Sequence, residues 1–505
     1  MDYELPTVIQ GGMGAGVSGW RLARAVARAG QLGVVSGTGL DLVLTRRLQI
    51  GDPGGHTRRA LELFPISGVA ERILERYYIP GGKALDRPFR SKPQPAVEPS
   101  RLLEELFVVS NFVEVFLAKE GHHGQVGINY LEKIQLPLLP SLYGAMLAGV
   151  DYVLMGAGIP KAVPGILDRL SRGEPVRQKL NVEGAQAGEE FATSFDCGAF
   201  SGGQVAKVAR PKFVAIISSA TLGTMLARRS DGRVDGFVVE GFQAGGHNAP
   251  PRGPLQLNSA GEPIYGERDM ADLAAVRAIG LPFWLAGGYA TPHDLAEACQ
   301  AGAVGVQVGT AFAFCEESDL APDVKTRALQ ASLAGEARVL TDPLASPTGF
   351  PFKVLQLADT LSDQATYEAR GRRCDLGYLR QAYRTPEGTL GWRCAAEPVD
   401  DFVAKGGAAS ETLGRKCLCN ALLSNIGLGQ VQPDGEIEKP LITSGDDVAQ
   451  VARFLRPGAL SYRAIDVLQQ ILPDLPDPGE PVRAERQRPT VVEKPLLELA
   501  QTASP

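Results

Sequence analysis

"LPFWLAGGYATPHDLAEACQAGAVGVQVGTAF", residues 281–312, holds one full strand–helix–strand unit. The apolar run "LPFWLAGGY" ends in Gly287 and Gly288. The helix-like "PHDLAEACQAG" follows, and then a second apolar run, "AVGVQVGTAF", ends in Gly309 and Thr310. Continuous apolar strands that end in glycine and are followed by helices indicate a parallel sheet covered on its faces.

The same rhythm extends upstream. "PTVIQGGMG" and "LGVVSGTG" read as strands ending in glycine turns, with the amphipathic "SGWRLARAVARAG" between them. "HGQVGINYL", "LYGAMLAGV" followed by "DYVLMGAGIP", "KFVAIISS" and "VDGFVVEGFQAGG" continue the series, and "RDMADLAAVRAIG" supplies another helix. About eight such units predict a (β/α)8 barrel rather than an open doubly wound sheet.

Residues 1–345 are therefore expected to form the barrel, with insertions at about 45–110 and 160–205. The first insertion, rich in Arg, Glu, Leu and Pro, reads as helices plus an irregular Pro-rich segment; the second, more polar, reads as a loop or lid. Residues 346–472 lose the βα rhythm and form a C-terminal extension in which "DDVAQVARFLR" reads as a helix. From 473 to 505 the chain is Pro- and charge-rich and is expected to be extended.

Composition narrows the class. Of 505 residues, 44% are hydrophobic and 21% charged, which is ordinary for a globular chain. A net charge of −6 gives no general pull toward nucleic acid or anionic lipid. No stretch is long and apolar enough to predict a membrane span. The opening "MDYELPTVIQ" lacks a basic n-region, and seven cysteines suit a reducing compartment, so a cytoplasmic location is expected.

In a barrel of this kind, functional groups gather at the C-terminal ends of the strands. Gly287 and Gly288, with Gly309 and Thr310 one unit later, suit a phosphate site, because glycine lets backbone N–H groups approach an anion closely. At the first strand end, "IQGGMG", Gly12 leads into Met13, whose thioether suits either an aromatic ring or the rim of the core. Asn129 interrupts the apolar "GINYL"; its amide suits the edge of a heteroaromatic ligand or a turn. In "VVEGFQAGGHNAPPRG", residues 238–253, Gly246 directly precedes His247, the best acid–base candidate. His122 and His123 are adjacent, so their side chains diverge, and they read as loop residues.

Cys374, Cys394, Cys417 and Cys419 all lie in the extension. Four cysteines so spaced admit a zinc or iron–sulfur site, but they lack paired C-x2-C knuckles, and free thiols are the expectation; no metal is assigned. Cys197, Cys299 and Cys315 read as ordinary small apolar side chains.

In order along the chain, "IQGGMG", "GIN", "EGFQAGGH", "LAGGY" and "QVGTAF" resemble the nitronate monooxygenase (2-nitropropane dioxygenase-like) family, and also the related FMN-dependent enoyl-acyl-carrier-protein reductases. The resemblance covers about residues 5–345. It implies a barrel that binds FMN non-covalently, with Gly287, Gly288, Gly309 and Thr310 on the phosphate. Met13, Asn129 and Gln307 would lie near the flavin, and His247 matches the family's histidine. The chain departs from the family at Glu240, where glutamine is common, and in "QGGM" for the more usual "QAPM". "SPTGFPFKVLQ" resembles the segment after the barrel in enoyl reductases that serve polyketide and polyunsaturated fatty acid synthases.

The resemblance implies a small-molecule substrate. The leading expectation is an alkyl nitronate, oxidised with O2 to a carbonyl compound and nitrite. The alternative is an enoyl thioester reduced with NAD(P)H, and a third reading is a non-catalytic flavin-binding component.

Overall fold

A computed structural model describes residues 5–204 and 206–476. Its centre is a closed barrel of eight strands: β1 (Val8–Gln10), β2 (Leu32–Ser36), β3 (Val126–Leu131), β4 (Tyr152–Gly156), β5 (Lys212–Ile217), β6 (Gly236–Glu240), β7 (Phe283–Ala286) and β8 (Gly305–Val308). Each strand pairs in parallel with its neighbours in sequence, and β8 closes on β1 with Val8 opposite Val306. The expected (β/α)8 barrel is present.

Strand parity explains the two apolar layers. Ile9, Val34, Leu154, Val214, Val238 and Trp284 point inward and pack as one cluster. Their sequence neighbours Val35, Val153, Phe213, Phe237 and Leu285 belong to the outer core beneath the helices. A side-chain period of two buries both sets once helices cover the barrel. The largest inward side chain, Trp284, donates its Nε1–H to the carbonyl of Pro6 at 2.7 Å, so its one polar atom is satisfied. On β2, a Cβ on Gly33 would lie 1.9 Å from the carbonyl oxygen of Ala23; glycine there lets helix Trp20–Arg28 sit directly on the strand.

The first insertion holds helices His56–Glu62 and Val69–Tyr77 and then an irregular run. Helix Arg101–Lys119 follows, its first turn capped by Ser100 accepting from the Leu103 N–H. Two elements differ from the sequence reading. "LYGAMLAGV", grouped with the strands for its apolar run, contributes to helix Leu138–Leu147, which is buried on nearly all sides. The 160–205 segment is not simply a loop. It begins with helix Val163–Ser171, whose Val163, Ile166, Leu167 and Leu170 are buried on one face, and continues into an antiparallel pair, Val176–Lys179 with Ala192–Phe195. Counting its polar residues hid that stripe. The helix expected in "DDVAQVARFLR" is present as a 3-10 helix, Asp446–Phe454; its buried Val448, Val451 and Phe454 recur every third residue, the period of that helix.

The extension is woven into the barrel's surroundings. Strand Val339–Asp342 pairs antiparallel with Phe352–Leu355, so a hairpin bridges the expected boundary at 345. Gln381–Arg384 pairs in parallel with Val182–Glu183 of the second insertion. Nearly all of the expected tail lies outside the described residues. Among the described residues no helix is long and apolar enough to cross a membrane.

Candidate active site

The last inward-facing position of several strands carries Ile216, Glu240, Ala286 and Gln307, and Asn129 faces inward near the end of β3. Together they floor a cavity at the C-terminal mouth of the barrel, with an empty volume of about 1650 Å³, part of it open to solvent. All ten residues singled out in the sequence line it: Gly12, Met13, Asn129, Gly246, His247, Gly287, Gly288, Gln307, Gly309 and Thr310. Glycine dominates the strand-end loops because the backbone there turns through positive φ, +106° at Gly287 and +95° at Gly288.

The roof comes from the extension. Tyr378, Leu379, Leu418, Cys419, Leu422 and Ser444 face the cavity from above. Gly445 donates its N–H to Thr310 Oγ1 at 2.9 Å, and Gly246 donates to Thr443 Oγ1 at 2.8 Å. A Cβ on Gly245 would lie 2.8 Å from the Gly445 nitrogen, so the two backbones touch. Thr310 and Gly246 thus have protein partners that no local pattern announces.

His247 is also held by the extension. Its Nε2 is 2.7 Å from Ser346 Oγ, and its ring meets Phe352 at 4.8 Å between centroids. Burial, with the nearby Lys133 charge adding to it, pulls its pKa down to about 3. The sequence reading has it taking a proton near neutral pH; burial in the fold favours the neutral imidazole. Glu240, at the end of β6, shows the converse. Burial without a cationic partner lifts its carboxyl to about 7. Its place on the cavity floor was readable from parity with the inward Val238, two residues earlier.

The four extension cysteines do meet. Cys394 and Cys417 are buried, and Cys374 and Cys419 pack against them. Among the described residues, no group of three or more His, Cys, Asp or Glu side chains is arranged to hold a metal ion. His122 accounts for its own ring: Nε2 lies 2.7 Å from the Ala118 carbonyl, and Nδ1 accepts from the Gly124 N–H.

Residues 167–344 match the model of the nitronate monooxygenase family. The matched segment is that of an oxidoreductase family. The nitronate monooxygenase match takes in Glu240, His247, the glycine pair and β8 with its loop, and leaves Gly12, Met13 and Asn129 outside it.

Among curated proteins, the chain is 34% identical over 137 residues to a Mycobacterium tuberculosis (3aS,4S,5R,7aS)-5-hydroxy-7a-methyl-1-oxo-octahydro-1H-indene-4-carboxyl-CoA dehydrogenase, covering 27% of this chain and 34% of that one. It is 38% identical over 101 residues to a probable nitronate monooxygenase of Bacillus subtilis, covering 20% of this chain and 27% of that one. The chain thus spans about a third or less of these relatives' length. Among solved structures, the enoyl reductase domain of MlnA from the macrolactin biosynthesis cluster of Bacillus amyloliquefaciens aligns over 94% of both chains at 11% identity, with a TM-score of 0.45. A likeness that slight carries no argument, and the fold rests on the barrel topology itself.

Proposed function

We propose that the chain is an FMN-dependent oxidoreductase that reduces an α,β-unsaturated acyl thioester, with NAD(P)H as reductant. The observation that carries this reading is the geometry of His247, whose Nε2 meets Ser346 Oγ at 2.7 Å while Nδ1 has no hydrogen-bond partner among the described residues. Burial also favours its neutral form, and an imidazole with a lowered pKa is a poor base for stripping a proton from a nitroalkane carbon. A neutral imidazole partnered at Nε2 can instead donate through its other nitrogen to a substrate that is gaining hydrogen. The name of the Mycobacterium relative, a carboxyl-CoA dehydrogenase, adds support for a thioester.

The cavity residues suit FMN. Gln307 Oε1 is buried without a hydrogen-bond partner and belongs to the cavity floor, where an acceptor is wanted for the N–H edge of a heteroaromatic ring. A Cβ on Gly288 would meet nothing, so this backbone faces open space. Gly287, Gly288, Gly309 and Thr310 would hold the phosphate, and Gly12, Met13, Asn129, Gly246 and Gln307 would border the ring. When bound, FMN supplies the hydride chemistry. The protein holds the substrate under the Tyr378–Ser444 roof, limits water, and presents His247.

Gly288→Leu is expected to lower the flavin that co-purifies. At φ +95° a leucine is strained by about 1–3 kcal/mol and projects into the proposed phosphate space. Flavin released from the denatured variant and read by absorbance checks this; undiminished content would place the phosphate elsewhere.

The family match favours a second reading, oxidation of an alkyl nitronate with O2 to a carbonyl compound and nitrite. A substrate that arrives as the nitronate needs no base. One anaerobic experiment separates the two: bleaching of the bound chromophore near 450 nm, roughly where oxidised flavins absorb. Bleaching by NAD(P)H followed by recovery on adding crotonyl-CoA supports thioester reduction. Bleaching by propyl-2-nitronate alone supports nitronate oxidation, and a protein that purifies without flavin excludes both.

A further inference from the structure

Behind the cavity wall, three polar side chains run in a line to His247. Lys133 lies in the turn after β3, and its Nζ donates to Thr348 Oγ1 at 3.4 Å. Thr348 Oγ1 and Ser346 Oγ share a hydrogen bond of 2.8 Å, and Ser346 Oγ is 2.7 Å from His247 Nε2. Of the four, His247 alone lines the cavity. We propose that Lys133, Thr348 and Ser346 form a proton line that resupplies His247 after it protonates the substrate. The proposal rests on the thioester-reduction reading.

The line is built rather than incidental. Ser346 and Thr348 sit in the turn of the hairpin that bridges residue 345. Arg415 Nη1 pins that turn by donating to the carbonyls of Leu344 at 2.9 Å and Ser346 at 2.7 Å. The Thr348 N–H donates to Ser346 Oγ at 3.2 Å, which occupies a lone pair and leaves the hydroxyl proton free to point at Nε2. Ser346 itself is fully buried, so bulk water does not compete for it.

Lys133 is only half-buried and can exchange protons with solvent. Burial brings its ammonium down to about 7, opposed by the charge of Glu132, while the face of Phe350 lies 3.0 Å from Nζ. Glu132 is the charged group that acts on Lys133, and Lys133 the one that acts on His247. His247 makes no hydrogen bond through Nδ1 among the described residues, which leaves that nitrogen for the cavity.

The transfer balances. The substrate carbon gains one proton from His247 Nδ1–H, while Nε2 takes one from the Ser346 hydroxyl. Ser346 is refilled by Thr348, and Thr348 by the Lys133 ammonium. The neutral amine left behind takes a proton from water. The hydride that completes the reduction, with its two electrons, derives from NAD(P)H and does not travel this line. His247 ends each cycle in the opposite tautomer and resets by ring rotation or by exchange with water.

Lys133→Met and Lys133→Arg test the line on the purified flavoprotein. The first readout is the ¹⁵N NMR spectrum of the His247 ring across pH 5–9. In the wild type the ring signals are expected to step near neutral pH as Lys133 titrates, and in Lys133→Met the step should vanish. The second readout is anaerobic reoxidation of the reduced flavin by crotonyl-CoA. Lys133→Met should slow it on the order of tenfold, less than the 10²–10⁴ attributed to a direct acid–base group, and flatten its pH profile.

Arginine keeps the charge but does not release a proton, so Lys133→Arg should retain the fold without restoring the step or the rate. Full rescue by arginine, or an unchanged His247 spectrum and rate in Lys133→Met, overturns the proton line. If wild-type reduced flavin is not reoxidised by crotonyl-CoA at all, the thioester reading itself falls, and the proposal with it.

Discussion

His247→Ala is expected to keep its flavin and lose turnover by about 10²–10⁴, the range for removing a positioned acid–base group. The flavin should stay because the proposed phosphate loops, at the ends of β7 and β8, are built without His247. Turnover should fall because, among the described cavity residues, His247 is the one hydrogen-bonded to Ser346 Oγ. Reoxidation of pre-reduced flavin by crotonyl-CoA, with flavin content measured on the same sample, checks both halves. A native rate would remove His247 from the reaction.

The same variant carries a pH signature. Below about pH 6.5 the unfolded chain takes up a proton at His247 that the folded chain refuses until about pH 3. The unfolded state binds more protons across that window, so stability falls as the pH falls. His247→Ala should soften acid unfolding between pH 6.5 and 3, seen as a shallower decline in the thermal midpoint.

Asp41→Ala is expected to destabilise the fold by about 3–5 kcal/mol, the usual result of leaving one member of a buried ion pair alone. Asp41 Oδ2 is 2.7 Å from Lys92 Nζ, with side chains only 3% and 4% exposed. Tyr378 Oη donates to Asp41 Oδ1 at 2.5 Å. That bond fastens the cavity roof to helix Leu40–Gln49 across 337 residues of sequence. Removal of the carboxylate leaves an ammonium buried between Phe107 and Tyr378 and frees the roof tyrosine. Against a total stability of about 5–15 kcal/mol, the loss is large.

Urea midpoints for Asp41→Ala and for the double variant Asp41→Leu/Lys92→Met give the check. The double variant should recover much of the loss, because no unpaired charge remains. Equal losses in both would mean that the Tyr378 tether, rather than the stranded charge, sets the effect.

How much of this was readable in the chain depends on the range of the interaction. Strand ends were readable, because a β-branched run stopping at glycine is a statement about adjacent residues. The cavity positions followed from them, since ten strand-end residues collect wherever a closed barrel brings its C-terminal ends together. Glu240 was legible as a departure from the family's common glutamine, and parity with Val238 adds that it faces the barrel mouth. The helix Val163–Ser171 was hidden by charged neighbours that solvate its outer face.

The sequence by itself determined the barrel, the order of its strands and the glycine-lined mouth, since periods of two and 3.6 and the conformational freedom of glycine are properties of neighbouring residues. Only the tertiary structure decided what those residues do. Burial, with the Lys133 charge adding to it, favours the neutral form of His247, and Ser346, 99 positions away, fixes its ring. The roof depends on Tyr378 meeting Asp41 and on Gly445 meeting Thr310, 135 positions apart. Desolvation and hydrogen-bond geometry arise only when distant segments share a wall, and no local pattern in the chain records them.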